Sequence, residues 1–140
     1  MSATYDDNQK QAEHYLQRYR REPLKHFING RHREASNGKT FTNLTPIDNS
    51  PLGEVALGCA EDVDGAAVAA ADAFQSWQQL PGNERSKMLH RVADAIAARR
   101  EEIALIESVD TGQPVQFMSK AALRGAENFR FFADRAQGAR

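Results

Sequence analysis

From Glu61 onward the apolar residues stop alternating and recur every three or four positions, and this change of period restricts the fold more than any other feature. Val63, Ala67, Ala70, Phe74 and Trp77 fall on one face of a helix that opens with Glu61, Asp62 and Asp64, carboxylates placed at the positive end of the helix dipole. Pro81-Gly82 ends it. A longer helix is predicted from about Glu84 to Ser108, with Leu89, Val92, Ile96, Ile103 and Ile106 on its apolar face. Arg99, Arg100, Glu101 and Glu102 read as its solvated side. Asp110-Thr111-Gly112-Gln113-Pro114 is a helix stop and turn, because Gly accepts positive φ and Pro cannot continue a helix. A third helix follows Pro114, with Ala122, Ala126, Phe129, Phe132 and Ala133 on one face.

Ahead of these helices the pattern is β. Asn29-Gly30 between His26-Phe27-Ile28 and Arg31-His32-Arg33 is a hairpin signal, since both residues tolerate the positive φ of a type I′ turn. Thr40–Leu44 alternates like a strand, and Gly53–Leu57 reads as another. Residues 5–21 suit an amphipathic helix whose apolar stripe is thin, either docked or frayed, and Pro23 ends it. The predicted fold is thus mostly α, a small β-hairpin opening followed by three amphipathic helices. Each apolar stripe must be buried, and so few strands make a meagre cover for three helices. The shortfall points to a covering surface outside these residues.

Composition excludes several function classes. A formal net charge of −1, with 26% charged residues, gives no electrostatic case for nucleic acid or an acidic membrane surface as partner. No apolar run reaches transmembrane length and no secretory leader pattern appears, so a cytoplasmic location is expected. One cysteine, Cys59, excludes an internal disulfide and a thiolate-cluster metal site.

The residues that could carry chemistry are sparse. His14, His26, His32 and His90 form no metal-ligand spacing, and His26 and His32 read as exposed strand residues beside the hairpin turn. Cys59 stands at a strand-to-helix junction, where a helix N-terminus can activate a thiol, but a half-buried structural thiol is the commoner case. Gly53 and Gly58 have phosphate-loop spacing, yet no Lys-Ser or Lys-Thr follows.

An ordered series of short motifs does say more. It runs through Phe27-Ile28-Asn29-Gly30, Thr40–Pro46, Leu52-Gly53-Glu54-Val55, Asp62-Val63-Asp64, Ala70–Phe74 with Trp77, and Arg85, Leu89 and Arg91 with Ala93–Ile96. Asp110–Pro114 and Arg124–Asp134 complete it. The series resembles the N-terminal portion of the aldehyde dehydrogenase superfamily. The run from Arg124 to Asp134 is closest to dehydrogenases of (carboxymethyl-)hydroxymuconate-type semialdehydes in aromatic catabolism.

The resemblance implies an α/β aldehyde dehydrogenase fold of which residues 26–140 are the first part of the NAD-binding domain, behind a helical arm at 1–25. It implies that the complete enzyme is an NAD(P)-dependent oxidoreductase, homo-oligomeric as dimer or tetramer, acting on a small-molecule semialdehyde with NAD as cofactor. By the same resemblance Arg124 holds a substrate carboxylate, and Leu44 with Asp110 belongs to a monovalent cation site. The family's Gly-rich cofactor turn, general-base glutamate and nucleophilic cysteine match nothing here, so no catalytic or cofactor-binding residue is expected and the chain alone should be inactive. The alternative is a non-catalytic helical module that binds a partner such as a full-length dehydrogenase subunit.

Overall fold

The computed structural model describes residues 4–138. Helix α1 (Tyr5–Arg21) leads into strands β1 (His26–Ile28), β2 (Arg31–Arg33), β3 (Thr40–Leu44) and β4 (Pro51–Ala56). Helices α2 (Ala60–Trp77), α3 (Gly82–Ala98), α4 (Arg100–Thr111) and α5 (Val115–Gln137) follow. Contacts divide the chain into two compact units, one of Leu16–Gln78 and the other of the residues up to Tyr15 with those from Gln79 onward.

In the Leu16–Gln78 unit, β1 and β2 pair antiparallel with Phe27 opposite His32. Asn29 and Gly30 have φ of 53° and 71°, the paired positive values that the type I′ turn demands. β3 and β4 form a second antiparallel ladder whose register shifts between Asn43 and Leu44. β4 starts two residues earlier than the Gly53 predicted from alternation, at Pro51 opposite Leu44. Its far edge is capped by Leu24, which donates to the Glu54 carbonyl at 2.8 Å and accepts from the Ala56 amide at 2.9 Å. The Glu54 carboxylate accepts the Thr40 and Thr42 hydroxyls across the ladder, and these bonds hold its pKa below the usual carboxylate range. Leu16, Ala35, Thr45, Leu52 and Ala56 are buried. In α2 Asp62 is the buried residue, while Val63, Ala67, Ala70, Phe74 and Trp77, the stripe left short of cover by so few strands, are all exposed.

The second unit corrects one boundary. The helix expected from Glu84 to Ser108 is two helices, so four rather than three follow the strands. Arg99 leaves helical geometry at φ −104°, ψ 16°. Neither Gly nor Pro is present to signal it. Its amide still donates to the Ala95 and Ile96 carbonyls, and its guanidinium forks onto Glu102 through two 2.8 Å bonds. The bend re-aims α4. Ala104, Leu105 and Ser108 become its buried residues, and Ile103 and Ile106 are only half-buried.

The stop at Asp110–Pro114 forms as predicted, with Gly112 left-handed at φ 73° and the Ser108 hydroxyl donating to the Gln113 carbonyl at 2.6 Å. α5 packs on α3 and α4. The seam is built of small side chains: Ala93, Ala126 and Ala133 are fully buried and Ala122 nearly so. Polar pairs bind α3 to α5 at the surface, with Arg130 donating to Asp94 at 2.9 Å and the His90 imidazole 3.1 Å from Asp134. None of the described helices is long and apolar enough to cross a membrane.

Candidate functional site

Burial of the alanine side of α5 decides what its other side can do. With Ala122, Ala126 and Ala133 facing α3 and α4, positions 117, 124 and 131 turn outward together, since seven residues are close to two helical turns. Arg124 is exposed there, between Phe117 at 56% and Phe131 at 54% exposure. One turn beyond, the Arg135 guanidinium lies 5.2 Å from the centre of the Phe131 ring. Among the described residues no ion pair engages Arg124. The chemistry available is that of an exposed guanidinium on the same helix face as two aromatic side chains, able to pair with a carboxylate.

Leu44 and Asp110 fall in different units. Leu44 ends β3 beside the register shift and its side chain is 47% exposed. Asp110 is exposed in the last turn of α4. Among the described residues no group of three or more His, Cys, Asp or Glu side chains could hold a metal ion.

The two glycines with phosphate-loop spacing, Gly53 and Gly58, are both covered. A Cβ at Gly53 would stand 2.3 Å from the Tyr19 carbonyl oxygen, and one at Gly58 would stand 3.3 Å from the His26 ring. Both backbones are already covered by protein, so neither can cradle a phosphate.

The strongest electrostatic feature is one that sequence reasoning passed over. The Asp62 carboxylate accepts the Ser36 amide at 2.9 Å, the Ser36 hydroxyl at 2.8 Å and, reaching back over the start of α2, the Cys59 amide at 2.9 Å. These donors, the Cys59 amide first, drive its pKa far below the usual carboxylate range. Only the local half of this was legible, in the acidic first turn of α2. Ser36 lies 26 positions earlier and carries no signal of the pairing.

His26 also departs from expectation. It is half-buried rather than exposed, with its ring on Gly58 and Nε2 3.9 Å from Asp62. His32 is exposed as expected, its ring centre 5.2 Å from that of Phe27. Cys59 is a half-buried free thiol at the N-cap of α2.

The depressed Asp62 carboxylate sets a pH dependence. Its contribution to stability is complete above the unfolded value of about 3.9 and is lost as pH falls toward the folded value. Asp62→Asn is expected to melt earlier than wild type at neutral pH and to close that gap progressively below about pH 4. Melts followed by circular dichroism from neutral to acid pH check this, and a gap unchanged in acid would show that the carboxylate charge is not what matters.

The described residues thus offer a stabilised helix junction, an alanine seam and an outward strip with Arg124 between Phe117 and Phe131. The aldehyde dehydrogenase family model matches residues 32–140, and the chain belongs to that family. It is 39% identical over 113 residues to 2-hydroxymuconic semialdehyde dehydrogenase of Pseudomonas sp. (strain CF600), covering 79% of this chain and 23% of the relative. It is 35% identical over 122 residues to human mitochondrial 10-formyltetrahydrofolate dehydrogenase, covering 83% of this chain and 13% of the relative.

Solved structures agree. HpcC of Thermus thermophilus superposes with a TM-score of 0.89 at 36% identity, over 92% of this chain and 25% of that one. Betaine aldehyde dehydrogenase of Staphylococcus aureus, solved with NAD+, gives 0.84 at 26% identity, over 90% and 25%. The chain therefore spans about a quarter or less of the length of the proteins it matches.

Proposed function

We propose that this chain is the opening scaffold of an NAD-dependent aldehyde dehydrogenase that oxidises a carboxylate-bearing, hydroxymuconate-type semialdehyde to its acid. The observation that carries the substrate reading is Arg124, exposed on α5 between Phe117 and Phe131 and opposite the buried alanines. In the complete enzyme NAD accepts the hydride, and parts of the fold beyond these residues hold it and supply the nucleophile and base. The role of this chain is to orient. Its α5 fixes the direction from which a guanidinium meets the far carboxylate. The similarity to the Pseudomonas semialdehyde dehydrogenase supports the same substrate class.

The test joins this chain to the remaining three-quarters of Thermus HpcC in place of the segment it matches, and follows NADH formation. The chimera is expected to turn over, and the 140-residue chain alone to give no NADH. In the chimera, Arg124→Met is expected to lower kcat/KM roughly 10- to 100-fold for a carboxylate-bearing semialdehyde and to spare an uncharged aldehyde. Turnover by the unaided chain would end the scaffold reading. An equal loss on both substrates would remove Arg124 from substrate binding.

A further inference from the structure

The chain contains two Asn-Gly pairs, and the structure treats them differently. Asn29-Gly30 is the tip of the β1–β2 hairpin and Asn37-Gly38 lies at the turn before β3, with all four residues exposed. At Asn37 both groups that could react together are held. The Gly38 amide donates to the Ala35 carbonyl at 2.7 Å, and Asn37 Oδ1 accepts the Lys39 amide at 2.8 Å. Asn49-Ser50 is restrained likewise, since the Ser50 amide donates to Asp48 Oδ1 at 2.9 Å. At the hairpin tip nothing is held. Among the described residues neither the Gly30 amide nor the Asn29 side chain has a hydrogen-bond partner.

We propose that Asn29-Gly30 is a self-modification site, where the chain converts Asn29 to aspartate and isoaspartate through a cyclic imide. The Gly30 nitrogen gives up its proton to solvent and bonds to Asn29 Cγ. The Cγ–Nδ2 bond then breaks, and ammonia leaves with a proton taken back from solvent. Water opens the five-membered ring at either carbonyl, so a water is consumed, an ammonia is released and nothing is oxidised or reduced. Closing the ring needs a ψ of about −120° at Asn29, the value at the first central residue of a type II′ turn. That turn keeps the positive φ that Asn29 already has, 53°, and is the other turn that two-residue hairpins use. Rotating the Asn29–Gly30 peptide plane therefore reaches the reactive geometry with the β1–β2 pairs intact, and glycine follows at no steric cost. The same rearrangement at Asn37 must first break the bonds made by the Gly38 and Lys39 amides. Either product puts a negative charge next to Arg31 in the chain, and isoaspartate also lengthens the turn by a main-chain carbon.

The experiment ages the purified 140-residue chain in mildly alkaline buffer and follows its tryptic peptides by mass spectrometry, cleavage at Arg31 and Arg33 separating the two sites. Labelling by protein isoaspartate methyltransferase identifies the isoaspartate product. Asn29 is expected to lose ammonia at least about tenfold faster than Asn37, the factor that the hydrogen bonds at Asn37 supply. In guanidinium chloride, where both turns are unfolded, the two rates should converge. Gly30→Ala, whose added methyl meets nothing within 4 Å in the fold, should hinder the attacking nitrogen, slowing Asn29 and sparing Asn37. Similar rates in the folded chain or a preference for Asn37 would overturn the proposal. So would a ratio that persists in denaturant, or an Asn29 rate indifferent to Gly30→Ala.

Discussion

Gly53→Ala is expected to destabilise the chain by about 3 kcal/mol or more. Two causes act together. The backbone at Gly53 has φ 156°, a conformation that side-chain-bearing residues rarely adopt. The added Cβ would stand 2.3 Å from the Tyr19 carbonyl oxygen and 2.9 Å from its carbon. Those are backbone atoms of α1, so relief requires moving the helix or the ladder. Gly30→Ala is the control, because Gly30 also has positive φ, 71°, but its Cβ would meet nothing within 4 Å. It is expected to lose only about 1 kcal/mol. Denaturant titrations of both variants measure the two losses, and equal values would show that the contact with α1 is not the reason glycine is required.

Ala126→Leu is expected to cost about 2–3 kcal/mol, through overpacking. Ala126 has 0% exposure on the side of α5 that meets α3 and α4, and the fully buried Ala93 and Ala133 leave little room to give. A leucine there must push helices apart or adopt a strained rotamer. Ala67→Leu on exposed α2 makes the same chemical change without the crowding and should be within about 0.5 kcal/mol of neutral. Thermal melts of the two variants decide it. Similar midpoints would mean that the seam is looser than its alanines suggest.

Much of the local structure was legible in the residues, for reasons that are themselves local. Asn29-Gly30 takes its turn because both residues tolerate positive φ, and Gly112 with Pro114 ends one helix and begins the next. The bend at Arg99 was not legible, because Leu89, Val92, Ile96, Ile103 and Ile106 keep one helical phase straight through it. What breaks the phase is tertiary, the burial of Ala104 and Leu105 in preference to the isoleucines.

The orientation of α2 was illegible for a related reason. Periodicity identifies an apolar side but not the surface that covers it, and here Asp62 with the small alanines is seated while the aromatics face out. At the candidate site, the outward placement of Arg124 follows from the alanine periodicity of α5. The Ser36–Asp62 pairing joins residues far apart in the chain and could be found only in three dimensions.

The alanine seam also orders events in time. The β1–β2 hairpin closes across the two residues of its turn, and β3 meets β4 after a short loop, so both can form as soon as they leave the ribosome. α3 has no such neighbour, because the alanines that receive Ala93 belong to α5 and are made only at the end of this stretch. For that interval α3 and α4 lack their main packing partner and have only sparse contacts with each other. Synthesis of α5 is therefore the step that commits the helical unit to its fold.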